Sequence, residues 1–216
     1  MNDDPHSEFP ENSPKPPDNS FQQEVQHSPA TARVPDAVGR GVFSTGAIVM
    51  HGAHDFLIDF IQSLAAPKRV VARVVLPPTV LPLLVGALED NLRKYSQTFG
   101  PPPRMPAPPG PLASAGAQPP PAPPAPLPIT EVYEQLKLPD EMLAGTYANT
   151  VVISHSPAEF CFDFICSFYP RSVVASRVYL ATPHVIELFD SLKRSLEQYR
   201  QRQNQSRNTP PFPPPA

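Results

Sequence analysis

The residues best placed for chemistry are two aspartates and two arginines in repeated surroundings. Asp59 lies within Asp55-Phe-Leu-Ile-Asp-Phe-Ile61, and Asp163 lies within Glu159-Phe-Cys-Phe-Asp-Phe-Ile165. Each acid is sunk in an apolar run, and an arginine follows each by fourteen positions: Arg73 and Arg177. If the runs are hairpins turning near residue 66 and near Pro170, each acid faces its arginine on one side of a sheet. A carboxylate among leucine and isoleucine needs such a partner, because an unpaired buried charge is costly. The guanidinium fork supplies two parallel hydrogen bonds. Charges in apolar surroundings often mark ligand sites, yet mutual pairing already accounts for both residues. Asp59–Arg73 and Asp163–Arg177 are therefore read as structural ion pairs.

Other candidate chemistry is weaker. His51-Gly-Ala-His54-Asp55 offers two imidazoles, but no third ligand stands at a suitable spacing, so no metal is expected. Ser154-His155-Ser156 places a nucleophile beside a base. In a strand adjacent side chains point apart, and no glycine elbow is present. No catalytic residue is assigned, and no glycine-rich phosphate loop or cofactor motif occurs. The basic residues Lys193, Arg194, Arg200, Arg202 and Arg207 are interrupted by Glu187, Asp190 and Glu197, as on a solvated helix face. Cys161 and Cys166 are five apart in one strand segment, so they point to opposite faces and should not pair.

The elements that position these residues are written twice. A constant shift of 104 superimposes residues 41–95 on 145–199 without a gap, matching Gly41, His51, Phe56, Asp59, Arg73 and Tyr95 to identical residues. Within each copy, Ser44–His51 or Ala148–His155 reads as a strand, followed by the aspartate strand. Val70–Leu76 or Val174–Leu180, rich in β-branched residues, follows as a third. The period then changes to that of a helix. Leu81, Leu84, Val85, Leu88, Leu92 and Tyr95 form one stripe, and Val185, Leu188, Phe189, Leu192, Leu196 and Tyr199 the other. Thr182 reads as an N-cap before Pro183 in the first turn, with Thr79 as the counterpart cap. Phe56, Ile58 and Phe60 share a wholly apolar face that should take the helix. The aspartate faces are expected to meet each other, unless the sheets join edge to edge.

Composition sets the boundaries. The 34 prolines among 216 residues cluster outside the repeats. The expected organisation is a disordered tail over 1–38, a first β-β-β-α repeat over 41–100, and a proline-rich linker over 101–128. A second repeat over 129–200 and a disordered tail over 201–216 complete it. The fold class is α+β, with the two repeats related by a pseudo-two-fold. A lone unit of about sixty residues buries only about 60% of its unfolded surface, which favours packing of one copy on the other. The apolar stretch Val74–Leu88 carries three prolines and does not suit a membrane span. With no secretory leader visible, a cytoplasmic protein is expected.

Tyr147-Ala-Asn149-Thr-Val, His155-Ser-Pro-Ala-Glu-Phe160, Asp163-Phe164, Arg177-Val and Thr182-Pro183-His184 occur in that order, before a leucine-spaced helix. In this the chain resembles the bacterial family known as domain of unknown function 3467. The likeness covers 139–200, and 41–100 looks like a divergent second member lacking the Tyr-Ala-Asn, Ser-Pro and Pro-His elements. The resemblance implies a fold and brings no activity, substrate or cofactor.

The function expected from these residues is that of a non-catalytic interaction or assembly protein, with a protein partner or self-association. The alternative is a regulatory nucleic-acid-associated protein using the basic second helix. Pro119, Pro120, Pro121, Pro123, Pro124 and Pro126 form a polyproline-II ligand candidate, although alanines between them suit a plain spacer.

Overall fold

The computed structural model describes residues 32–104, 128–168 and 170–208. The tail over 1–31, the linker prolines 119–126 and the segment 209–216 lie outside the described residues. The chain is a mixed α+β protein with two four-stranded sheets and two long helices. In the first copy α1 (Asp36–Gly39) leads to β1 (Val42–Ser44), β2 (Gly46–His51), β3 (Phe56–Gln62), β4 (Arg69–Leu76) and α2 (Leu81–Phe99). In the second, α3 (Ile129–Glu134) and a 3-10 turn (Asp140–Met142) precede β5 (Thr146–Tyr147), β6 (Thr150–His155), β7 (Glu159–Phe168), β8 (Arg171–Ala181) and α4 (Thr182–Asn208).

Each sheet has four strands rather than the three read from the sequence, because the copies exchange their first strands. One sheet runs β1-β8-β7-β6 and the other β2-β3-β4-β5. β1 adds in parallel to β8, with Phe43 opposite Tyr179, and β5 adds in parallel to β4, with Tyr147 opposite Val75. These pairings are equivalent under the 104-residue shift. The continuous strands expected over Ser44–His51 and Ala148–His155 are broken for the same reason. At Thr45 and Asn149 the chain leaves one sheet and enters the other. Ser44 and Asn149 hold these corners. The Ser44 hydroxyl donates to the Gly46 and Ile61 carbonyls at 2.7 and 2.9 Å. Asn149 accepts from the Ser167 amide at 2.8 Å and donates to its carbonyl at 3.1 Å.

Glycine is required just before each exchanged strand. Gly41 and Gly145 have φ of 63° and 68°, a region that disfavours side chains. A Cβ on Gly41 would lie 2.6 Å from Tyr179, and one on Gly145 2.7 Å from Val75. Further upstream, Arg33 bridges Val173 as Lys137 bridges Arg69, again one relation under the shift. Residues 32–38, expected to belong to a disordered tail, instead have a defined place, because the backbone at Arg33 joins a sheet edge. Helix α4 likewise continues past the expected boundary at 200, to Asn208.

The sheets meet through their apolar faces, which corrects the expectation that the aspartate faces would do so. Phe60 lies 5.7 Å from Phe164 and 6.4 Å from Phe162, ring centre to ring centre. Pairing and hydrogen bonding let the aspartate faces stay outside, whereas phenylalanines gain by leaving water. Each helix also crosses over: α2 lies against β6, and α4 against β2. Tyr95 packs on Phe160 and donates to the Pro157 carbonyl at 2.8 Å, while Tyr199 packs on Phe56. Leu81, Leu84, Leu88, Val185, Leu188 and Leu192 join the phenylalanines in a single core drawn from both copies. The helix starts differ from expectation. Val80, not Thr79, stands at the N-cap of α2, and among the described residues the buried Thr182 hydroxyl finds no hydrogen-bond partner, so it makes no cap bond there.

Candidate functional site

The outer faces of the two sheets carry the paired charges. β3 and β4 run antiparallel with Asp59 opposite Arg73, and β7 and β8 place Asp163 opposite Arg177. In both pairs Nε donates to Oδ1 and Nη2 to Oδ2, every distance being 2.7 Å. The remaining Nη1 reaches the other copy: Arg73 donates to the Leu143 carbonyl at 3.3 Å, and Arg177 to the Gly39 carbonyl at 3.4 Å. Each arginine thereby ties the neighbouring copy's entry segment to its own acid. Hydrogen bonding to the carboxylate holds both guanidinium groups even further into the protonated range than usual.

The two sites differ in what covers them. Asp59 is fully buried, because the short helix α3 lies over it and the Tyr133 hydroxyl donates to Asp59 Oδ2. The same hydroxyl is 3.6 Å from Met50 Sδ. Burial, and then the adjacent carboxylate, push the Tyr133 phenol well above its ordinary range. Asp163 and Arg177 remain 19% and 21% exposed. They line an open cleft of about 320 Å³ with Ser154, His155, Ser156, Glu159, Cys161 and Tyr179. The cleft is more polar than its counterpart, since Ser154, Cys161 and Tyr179 stand where the first copy has Met50, Leu57 and Val75. Burial, then the Asp163 charge, raise the Cys161 thiol, so thiolate chemistry is disfavoured there.

The remaining motif residues have structural contacts. His155 Nδ1 is 3.1 Å from Asn91 Oδ1, and its ring packs on Tyr95 and Phe160. Ser156 donates to Glu159 Oε1 at 3.1 Å, so Ser154-His155-Ser156 does not converge on one point. Phe160 and Phe164 are core. Tyr147 is exposed and stacks on Phe168 at 6.0 Å. Pro183 lies in the first turn of α4, where His184 Nδ1 is 3.6 Å from Glu187 Oε2. His51 packs on Phe56 and Tyr199 while His54 is exposed. Among the described residues no three potential metal ligands gather. On α4, Lys193 lies over the Phe189 ring at 5.0 Å and Arg194 donates to Ser191. Sequence reasoning missed Tyr133, because a tyrosine 74 positions from Asp59 leaves no local signal.

A family model described as a protein of unknown function (DUF3467) matches residues 8–102 and again residues 116–205. The chain belongs to the DUF3467 family, in tandem. The two matches contain the two strand–helix runs that exchange β1 and β5, so the second DUF3467 copy completes the sheet of the first. No curated protein and no solved structure matches the chain. Among the described residues, no helix is long and apolar enough to cross a membrane.

Proposed function

We propose that this DUF3467 protein is a non-catalytic interaction scaffold, in which two β-β-β-α units are fused into one preassembled pair that offers an outer sheet face to a protein partner. The reading places proline-rich segments around that pair as spacers or arms. The observation that carries it is the inequality of the two outer faces. One ion pair is sealed by Tyr133, and its symmetry mate stands in an open polar cleft. The polar groups at that cleft favour binding over turnover: His155 faces Asn91, Asp163 is held by Arg177, and Ser156 is engaged by Glu159. The nucleic-acid alternative has less support, since acids interrupt the basic residues of α4.

The test is capture from the native cell, comparing the full chain with an Asp163→Leu/Arg177→Leu variant that keeps a cooperative melt. The reading predicts protein partners that the double variant loses. Capture of nucleic acid that falls steeply with salt would instead favour the alternative. If wild type and variant retain nothing beyond a control matrix, the scaffold reading fails.

A further inference from the structure

The covered ion pair shows what the open one is shaped to receive. At the first site the Asp59 carboxylate takes two bonds from Arg73 and a further one from a phenol carried on α3. At the second, the same bidentate geometry recurs, and among the described residues Asp163 Oδ2 accepts only from Arg177 Nη2. A carboxylate oxygen has room for another donor. The position equivalent to Tyr133 is Pro29, and no tyrosine occurs in residues 1–31. The chain therefore has no phenol of its own at the matching place.

Resting on the scaffold reading, we propose that the Asp163–Arg177 cleft docks a short tyrosine-bearing segment of another protein, the phenol donating to Asp163 Oδ2 as Tyr133 does to Asp59. The lining adjusts this segment's chemistry. Glu159 and Asp163 outnumber Arg177, so the surroundings of the bound tyrosine are net acidic and favour flanking lysine or arginine. Helix α3 differs in this respect, with Glu131 and Glu134 around its tyrosine. Ser154 and the Tyr179 hydroxyl add hydrogen-bonding capacity where Met50 and Val75 offer only apolar contact.

The probe is a synthetic peptide spanning residues 128–136 with Glu131→Lys and Glu134→Lys, titrated into the full-length protein and followed by amide chemical shifts. Shifts should be confined to Ser154, Cys161, Asp163, Arg177 and Tyr179. Replacing the peptide's tyrosine by phenylalanine should weaken binding by roughly tenfold, as loss of one charge-assisted hydrogen bond does. That comparison leaves the protein untouched, so it does not depend on a folded Asp163 variant. Three results would overturn the proposal: no binding at millimolar peptide, equal binding of the phenylalanine peptide, or shifts centred on Met50 and Asp59 as the peptide displaces α3. A fourth would be a large gain in affinity on removing residues 1–31, which would make that segment the occupant. The scaffold reading survives each of these if the Asp163→Leu/Arg177→Leu variant still loses a captured partner.

Discussion

Asp59 and Asp163 make the same two bonds to arginine, yet their burial predicts different consequences when they are removed. Asp59→Ala leaves Arg73 and the Tyr133 hydroxyl facing a fully covered gap, and should destabilise the fold by about 3–5 kcal/mol. Asp163→Ala leaves Arg177 beside water, and about 1–2 kcal/mol is expected. Thermal and denaturant melts of the two variants check this order, and equal losses would contradict it. Tyr133 adds a pH dependence. Its folded pKa is raised above the unfolded value of about 10, so the unfolded chain releases that proton first. The stabilisation from Tyr133 is complete below that pH and is lost as pH rises from there through the raised folded value. Tyr133→Phe should therefore flatten the alkaline limb of stability against pH relative to wild type, with neutral stability lower by about 1–2 kcal/mol. The fourteen-residue spacing was enough to read each acid opposite its arginine, because hairpin register is local. Tyr133 was illegible because its contact with Asp59 depends on how the second copy enters the fold.

The strands and helices themselves were legible in their periods: the phenylalanine alternation of β3 and β7, and the leucine stripes of α2 and α4. The exchange of β1 and β5 was not. A three-residue and a two-residue strand carry too little pattern to name a partner. Their only local sign is the glycine before each, which reads in isolation as an ordinary turn. Structure gives those glycines a specific task, and so a specific prediction. Gly145→Ala must place a Cβ 2.7 Å from Val75 in a left-handed conformation, and should cost about 1–3 kcal/mol. Gly86→Ala, within α2 with nothing inside 4 Å of the added Cβ, should stabilise by about 0.5–1 kcal/mol. Melting both variants beside wild type separates strand-entry geometry from a general sensitivity to lost glycine.

Across the whole molecule, sheet edges, helix packing and the third hydrogen bond of each arginine all cross between the copies. β1 and β5 are exchanged, α2 lies over β6 and α4 over β2, and each arginine holds the opposite entry segment. The core follows the same rule, with Phe60 packed on Phe162 and Phe164. A single copy would leave its apolar sheet face bare and its sheet one strand short. Duplication in the sequence implied that the copies pack together, and small size gave the reason. Which faces meet was misread, because a satisfied ion pair can stay outside the core between the sheets while a row of phenylalanines cannot.

The most direct test of this interdependence is to divide the chain between the two copies. Residues 32–104 and 128–208 would be produced as separate chains, alone and mixed, with mass in solution and thermal melting recorded for each sample. The account predicts a 1:1 complex with a cooperative melt on mixing, and no folded monomer of either half: a half that folds alone should do so only as a dimer. A half that is monomeric by mass and still melts cooperatively, near the temperature of the intact protein, would contradict it.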